Sequence, residues 1–563
     1  MSLHKLLATV SLNAQIRAGL LIVPSLLLCV QVLLMSQMFP IATNSNGIFG
    51  QDPAYQYLYA GVDILQGFSP GHTDHPGTPL QTATAVIISI TWLVLRLIGF
   101  TRLSAVDSVL TNPELYLASA GLFFLFANCW AAYFLGSKVH RSTNNFSLAA
   151  ICQTAPLLFA ATAPQIIYPT PETGLFFIST TLMGLIAPLV FDPKEINRQS
   201  KQKLAWGVGL ICGLGFAIKF TFAPMLLLPL MLRDWRAIFR AYAAILVAWV
   251  IGVLPIIHKL PKLIEWLQKI ATHSGTHGEG AQSIFNWANL KIHTLWLIST
   301  FSFFYYTLLM TMSIGGALLA WRHLNNRLKK HHASHALPFQ ANDAYSFNAT
   351  DLFAPAIFLL IAALHTLMVA KHVGAPYMIP VLPITTMLIA WSVHCLGRSC
   401  KLRSIGSKSL STLALIVLSI GGISASTQAY QTLKANHMRG VESLLTIQQE
   451  INKFSNPILI GTFNCNFPEC AVWFGILLSP TLETRMDKIT PTFYHFNIFN
   501  KRLHVPGLGE TESETATTII NGFFAKQQPV LLISPEYPQL NHFKLELIVK
   551  TPVQNLYRIS GIK

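Results

Sequence analysis

Between Gly50 and Leu80 the chain crowds acids, tyrosines, histidine and prolines into a segment that links two apolar stretches. Asp52-Pro53 has the form of a helix start, with the aspartate at the N-cap, proline at the first helical position and the carboxylate at the positive end of the helix dipole. Tyr55, Tyr59 and Asp63 follow at helical spacing and share a face that aromatic and polar groups can offer to a sugar. Thr73-Asp74-His75-Pro76-Gly77-Thr78-Pro79-Leu80 then leads straight into an apolar run, which pins His75 at a membrane surface. The competing reading is that Asp52 only caps a helix and the tyrosines form an interfacial belt.

Three further places carry chemistry. Lys219 lies inside a long apolar stretch, where a lysine is costly and therefore a functional candidate, snorkelling being the alternative. His273-Ser274-Gly275-Thr276-His277-Gly278-Glu279-Gly280 follows an amphipathic segment, Leu260 to Ile270, suited to the interface. Its glycines allow close backbone approach to a ligand, although a flexible linker has the same composition. Lys371-His372 sits in a short polar break between two apolar stretches.

These residues need a membrane to position them. The 563 residues are 52% apolar and 11% charged, with a mean hydropathy of +0.48, against about 25% charged in soluble proteins. The 39 Lys+Arg against 23 Asp+Glu give a formal charge of +16. In a polytopic protein that excess falls to cytoplasmic loops, which removes nucleic acid as the partner it would otherwise suggest. The eight cysteines are too few and scattered for a disulfide scaffold. Cys29, Cys129, Cys152, Cys212, Cys395 and Cys400 lie in or beside apolar segments and behave as small hydrophobes.

A basic start (Lys5, Arg17) and an apolar run from about 18 to 38 read as an uncleaved first transmembrane helix. Apolar stretches follow near 80–100, 115–136, 147–167, 174–190, 204–232, 241–257, 294–320, 352–370, 376–397 and 409–427. Lys219, Pro224 and Pro229 break the 204–232 stretch, so about 11 to 13 helices are expected. The clusters Lys5/Arg17, Arg96/Arg102, Lys194–Lys203, Arg233–Arg240, Arg322–Lys330 and Arg398–Lys408 all fit the cytoplasm. Loops 39–79, 168–173, 258–292 and 371–375, and everything after 428, then lie outside. The crossings counted between the first outer loop and Glu172 have the wrong parity. Either the Pro156 and Pro164 segment is re-entrant or a neighbour does not cross fully. Residues 322–351, with His331, His332 and His335, read as a solvated cytoplasmic connector rather than a metal tract.

After 428 the pattern changes to alternating strands at 457–463, 529–534 and 543–549 with a helical stretch near 441–453. Residues 1–428 thus read as a transmembrane catalytic domain and 429–563 as an extracytoplasmic α/β domain. There a Cys465–Cys470 disulfide is one reading; zinc is disfavoured because the nearest histidine, His495, is distant. The chain shows no internal repeat of the kind that marks secondary transporters.

With these residues in view, the chain resembles the GT-C glycosyltransferases, in particular the polyprenyl-phosphate-sugar branch that includes protein O-mannosyltransferases and lipid A aminoarabinose transferases. The likeness is good over residues 15–240 and looser beyond. The family has an acid in the first outer loop, then a Tyr-x3-Ala-like helix and a Gly before a His-Pro-Pro-Leu-like segment. Those positions read here as Asp52, Tyr55, Tyr59-Ala60, Gly67 and His75-Pro76-Gly77-Thr78-Pro79-Leu80. Proline follows Asp52 where many relatives have a second acid, and Gly77-Thr78 splits the proline pair. The family's downstream acid matches Glu172 in Tyr168-Pro169-Thr170-Pro171-Glu172-Thr173. Its Lys-Tyr/Phe-Thr pattern matches Lys219-Phe220-Thr221. Its late Arg-Tyr-x-x-Pro-like motif is matched by Lys371-His372-Val373-Gly374-Ala375-Pro376-Tyr377-Met378-Ile379-Pro380, where Lys371 and His372 replace an arginine's two parallel bonds with a point charge.

The resemblance implies an all-α polytopic domain of GT-C type with a small extracytoplasmic α/β domain. It implies inverting transfer of a hexosyl or pentosyl unit from a polyprenyl-phosphate donor to an extracytoplasmic acceptor hydroxyl on a lipid, glycan or protein. Asp52 would be the general base; Lys219, Lys371 and His372 would balance the leaving phosphate. Tyr55, Tyr59, His75 and His277 would position substrate, while Glu172 would orient it or, with Asp52 and His75, hold a divalent cation. No cofactor is required, because lysines alone can neutralise a monophosphate; a cation stays open. The compact loops favour the bacterial inner membrane. Two other readings compete: a transporter or flippase of a lipid-linked or anionic substrate with Lys219 as counter-charge, and an inactive partner subunit that only binds glycan.

Overall fold

The computed structural model describes residues 15–36, 51–73, 77–167, 169–193, 196–274, 282–283, 286–332, 349–399, 404–462, 465, 467–490, 493–497, 502–511, 513–535 and 543–562. The helices are α1 (Gln15–Ser36), α2 (Gln51–Leu65), α3 (Thr78–Leu97), α4 (Ala105–Thr111), α5 (Pro113–Thr143), α6 (Phe146–Gln153), α7 (Pro171–Phe191), α8 (Arg198–Ile218) and α9 (Trp235–Val253). They continue with α10 (Leu260–Thr272), α11 (Trp287–Thr300), α12 (Ser302–His332), α13 (Phe353–Lys371), α14 (Leu382–Ser399) and α15 (Ser404–Ile451). Among the described residues, nine helices are long and apolar enough to cross a membrane. The expectation of an all-helical, multi-span domain followed by a small α/β domain is borne out.

Local sequence sets the breaks. Asn145, Asn197 and Asp234 cap α6, α8 and α9 by accepting from backbone N–H groups of the first turn. Prolines that remove a donor from the helix ladder turn Ala155–Leu157, Ala163–Ile166, Phe220–Leu232 and Ala375–Val381 into 3-10 segments. On α8, Gly209 and Gly213 let the Ala241 and Ile245 carbonyls of α9 approach so closely that a Cβ would collide with them, the small-residue packing that helices in lipid rely on.

The bundle has two faces. On one, Asn145 at the start of α6 donates to Ser411 near the start of α15 at 3.2 Å, Arg198 pairs with Asp234 at 3.1 Å, and the Arg233 guanidinium lies 4.2 Å from the centre of the Phe353 ring. On the other, Thr78 donates to the Gly252 carbonyl and Lys371 to the Ala271 carbonyl; there the C-terminal sheet domain sits.

Of the two ways left open to restore the parity, the structure follows the second: a neighbouring helix does not cross, and the Pro156 and Pro164 segment is not re-entrant. Helix α3, expected to be the second transmembrane helix, begins and ends on the sheet-domain face. Its start is bonded to the ends of α8 and α9, through Gly77 N–H to Ile218 O at 3.0 Å and Thr78 to Gly252. Its far end is tied back to the following loop, Trp92 Nε1 donating to Leu103 O at 3.1 Å, and α4 in that loop packs on the sheet domain through Arg485–Asp107 at 3.1 Å. The Arg96/Arg102 cluster therefore shares the sheet domain's face instead of facing away from it. Residues 146–167, by contrast, do pass from face to face, as a broken segment that runs antiparallel to α5: Gln153 lies on Gly136 and Ile167 on Gly121. Together these changes remove the parity conflict.

Helix α15, 48 residues and roughly 72 Å at 1.5 Å per residue, runs unbroken through residue 428 and delivers the chain to the sheet domain. That domain contains β1 (Ile458–Thr462), β2 (Phe493–Asn497), β3 (Arg502–Val505), β4 (Gly509–Thr511), β5 (Val530–Ser534), β6 (Phe543–Lys550) and β7 (Asn555–Ile562). Their order is β4-β3-β2-β1-β5-β7-β6, with β1 parallel to both β2 and β5 and the remaining pairs antiparallel. Helices α16 (Pro468–Ile476), α17 (Glu483–Ile489) and α18 (Ser513–Ala525) complete it. Cys465 and Cys470 are bridged, with Cα atoms 5.7 Å apart. Lower in the bundle, α1 and α15 leave between them an apolar groove of about 470 Å³, lined by Leu26, Leu33, Leu157, Ile423 and Tyr430.

Candidate functional site

Helix α2 lies between the sheet domain and α3. Tyr55 and Tyr59 are buried, and the Tyr59 ring and the Tyr55 Cβ press on Gly475 of α16 where any larger residue would collide. The face read as a sugar platform is thus covered by the sheet domain. Tyr55 donates to Glu114 Oε1 at 3.0 Å, and burial, followed by the Glu114 charge, pushes both phenols well above their ordinary range. One turn on, Asp63 accepts from Ser479 Oγ at 2.6 Å and Thr481 Oγ1 at 2.8 Å. Burial raises its pKa, opposed by those bonds. Asp63 is a latch for the sheet domain that the sequence placed on the right face without revealing its partner.

The end of this loop reaches the bundle core. Gly77 adopts φ +60 against the Tyr57 ring, a conformation and a space only glycine fills comfortably, and bonds the carbonyl of Ile218. The next residue, Lys219, is the extended break between α8 and the 3-10 segment Phe220–Leu232. Its Nζ lies 2.5 Å from Glu172 Oε1 and 4.3 Å from the centre of the Tyr377 ring. Both charges are almost fully buried, with side-chain exposures of 4% and 5%. Glu172 is held at the first turn of α7, whose neighbour Thr173 accepts from Asn128 Nδ2 at 3.1 Å and donates to Ile166 O at 2.5 Å. Tyr377 is fixed by its carbonyl, which accepts from His365 Nε2 at 2.8 Å.

The structure therefore joins Glu172 and Lys219, which the sequence singled out separately, and adds Tyr377 and His365. Tyr377 follows Pro376 directly and opens the Tyr-x-x-Pro part of the late motif, which was its available signal; His365 looked like any polar residue in an apolar helix. Lys371 donates to Ala271 O at 2.6 Å and His372 Nε2 lies 3.4 Å from Ile270 O, so both contact the last carbonyls of α10. Asp52 occupies the first turn of α2, but its side chain lies outside the described residues, as do His75 and His277 entirely. The candidate cation set Asp52, Glu172 and His75 consequently has only Glu172 within them. Among the described residues no three His, Cys, Asp or Glu gather as a metal cluster.

Residues 111–337, a stretch that includes Glu172 and Lys219, match the model of Glycosyltransferase family 87. No curated protein matches the chain. Two solved structures of ArnT from Cupriavidus metallidurans are similar. The one bound to undecaprenyl phosphate has a TM-score of 0.49 and 11% identity, covering 95% of this chain and 97% of that one. The apo form has a TM-score of 0.46 and 11% identity, covering 90% and 93%.

Proposed function

We propose that this protein is a membrane glycosyltransferase that moves a sugar from a polyprenyl-phosphate donor to an acceptor hydroxyl at the sheet-domain face, with inversion. The observation that carries this reading is the buried Lys219–Glu172 pair under Tyr377, located where the first loop's end meets the apolar bundle. A lipid-linked sugar places a tail in the membrane, a phosphate at its edge and a sugar beyond, and this is where such a phosphate needs a cation. The match of residues 111–337 to a glycosyltransferase family supports it.

In this mechanism Asp52, at the start of α2, takes the acceptor's proton as its oxygen attacks the anomeric carbon, and polyprenyl phosphate leaves from the opposite side. Lys219, oriented by Glu172 and Tyr377, offsets the charge that grows on the leaving phosphate. Lys371 and His372, at the end of α13, border the phosphate, and Glu172 keeps Lys219 from folding back into the lipid. His75 and His277 position the sugar. Tyr55 and Tyr59 position Asp52 indirectly, by clamping α2. The location that follows is a bacterial inner membrane with the sheet domain outside the cytoplasm.

The test uses purified full-length protein in proteoliposomes with synthetic polyprenyl-phosphate sugars. Asp52→Asn should lower transfer about 10² to 10⁴-fold while donor binding persists. Wild-type transfer rates in Asp52→Asn would exclude the base assignment, and donor flux across the bilayer without sugar transfer would favour transport.

A further inference from the structure

Residues 69–72, between α2 and α3, are gripped by three different parts of the molecule. Lys259, where the 3-10 segment Leu254–Lys259 meets α10, donates from Nζ to the Pro70 carbonyl at 2.7 Å and lies 3.4 Å from the Ser69 carbonyl. Gly71 packs on the Leu478 carbonyl of the sheet domain so closely that a Cβ would collide with it. The His72 carbonyl accepts from Gln81 Nε2 of α3 at 3.1 Å, and the His72 ring meets the Tyr57 ring edge-on with centroids 5.1 Å apart. On the far side Gly77 is bonded to Ile218, beside Lys219. Residues 73–76, His75 among them, lie between these two anchors.

Lys259 differs from the other two grips. Ser69 and Pro70 belong to no helix or strand, so their carbonyls need donors from elsewhere, and one ammonium serves this end of the loop. Its bond to Pro70 is charge-assisted and stronger than the neutral bond from Gln81. A lysine at a membrane edge ordinarily extends its head to water; here His258 is exposed, whereas Lys259 is half-buried and turned onto the loop. The contact spans 189 residues, so it ties the loop to a distant element rather than shaping α10. We propose that Lys259 is a positioning residue for sugar transfer, one that sets where the first outer loop delivers His75 toward the Lys219–Glu172 pair. Within the transferase reading, on which this role rests, Lys259 carries no proton, touches no substrate and acts through the loop's backbone.

The test takes the full chain in proteoliposomes with synthetic polyprenyl-phosphate hexoses and pentoses, following release of polyprenyl phosphate. Lys259→Met should lower kcat about 10 to 10²-fold, the loss expected of a small misplacement, while KM for the donor changes by less than about threefold. Lys259→Arg keeps a charged donor at that reach and should bring kcat back to within about threefold of wild type. A second readout needs no turnover. Thr73 is 4% exposed, so Thr73→Cys should react slowly with a maleimide beside Lys259, roughly tenfold faster beside Lys259→Met, and slowly again beside Lys259→Arg. Lys259→Gln serves if the methionine variant does not fold. Wild-type kcat in Lys259→Met would overturn the proposal, as would a loss that leaves labelling at residue 73 unchanged or that Lys259→Arg does not repair. Wild-type protein that releases polyprenyl phosphate from none of these donors would instead tell against the transferase reading, and unchanged labelling would still overturn the hold on the loop.

Discussion

A lysine and a glutamate 2.5 Å apart in a bundle core hold each other's charge, so neither can be removed alone without stranding the other. Lys219→Met should cost about 3–5 kcal/mol, measured by thermal unfolding in detergent. The double variant Lys219→Met/Glu172→Met should recover most of that stability, because a buried pair replaced by apolar side chains of similar size is often neutral, yet it should stay inactive. A stable double variant that transfers sugar at the wild-type rate would reduce the pair to a structural role. His495, on β2 opposite His504, carries a separate prediction. Burial, reinforced by His504, pushes its pKa down to about 3 from 6.5. Below about 6.5 the unfolded chain binds a proton that the folded one refuses, so stability is full above that pH and declines as pH falls toward 3. His495→Phe should flatten this decline, narrowing the Tm loss between pH 7 and 4 by on the order of 5 °C relative to wild type. An unchanged profile would show that His495 does not set it. Lys219 was legible in the sequence because charge in an apolar helix is expensive. Its partner's identity was not, because 47 residues separate the two and only packing brings them together.

At the level of helices and strands, periodicity told more about faces than about neighbours. Tyr55, Tyr59 and Asp63 do share a face of α2, yet what covers it is α16, with Ser479 lying 416 residues beyond Asp63. No local pattern announces a contact of that span. The strands near 457–463, 529–534 and 543–549 were readable from their alternation, and β1, β5 and β6 coincide with them. The short antiparallel strands β3 and β4 were too brief to stand out. The stretch near 441–453 did form a helix, but as the last turns of α15 rather than a separate element. Prolines at 156 and 164 suggested re-entry, but they only break the ladder: the segment crosses, with 3-10 backbone where a regular helix would otherwise run.

For the molecule as a whole, hydropathy counted apolar segments but was blind to where their ends are tied. Helix α3 has the length and apolarity of a span, and only its bonds to α9 and to the loop carrying α4 return it to its starting side. The topology this gives can be checked with a membrane-impermeant maleimide on sealed vesicles of opposite orientation. Arg102→Cys should react from the same side as Lys526→Cys in the sheet domain, and from the side opposite to Arg398→Cys at the end of α14. Labelling of Arg102→Cys together with Arg398→Cys would restore α3 as a crossing.

The sheet domain rests on the long rod of α15, the aromatic seat of α2 under Gly475, the Asp63 latch to Ser479 and Thr481, and the Asp107–Arg485 contact with α4. A roof pinned at several corners does not swing like a lid, and prising it up would wet the rings of Tyr55 and Tyr59. On the proposed function, a donor whose tail lies in lipid would then come sideways in the plane of the bilayer, and the groove between α1 and α15 is an apolar surface suited to such a tail.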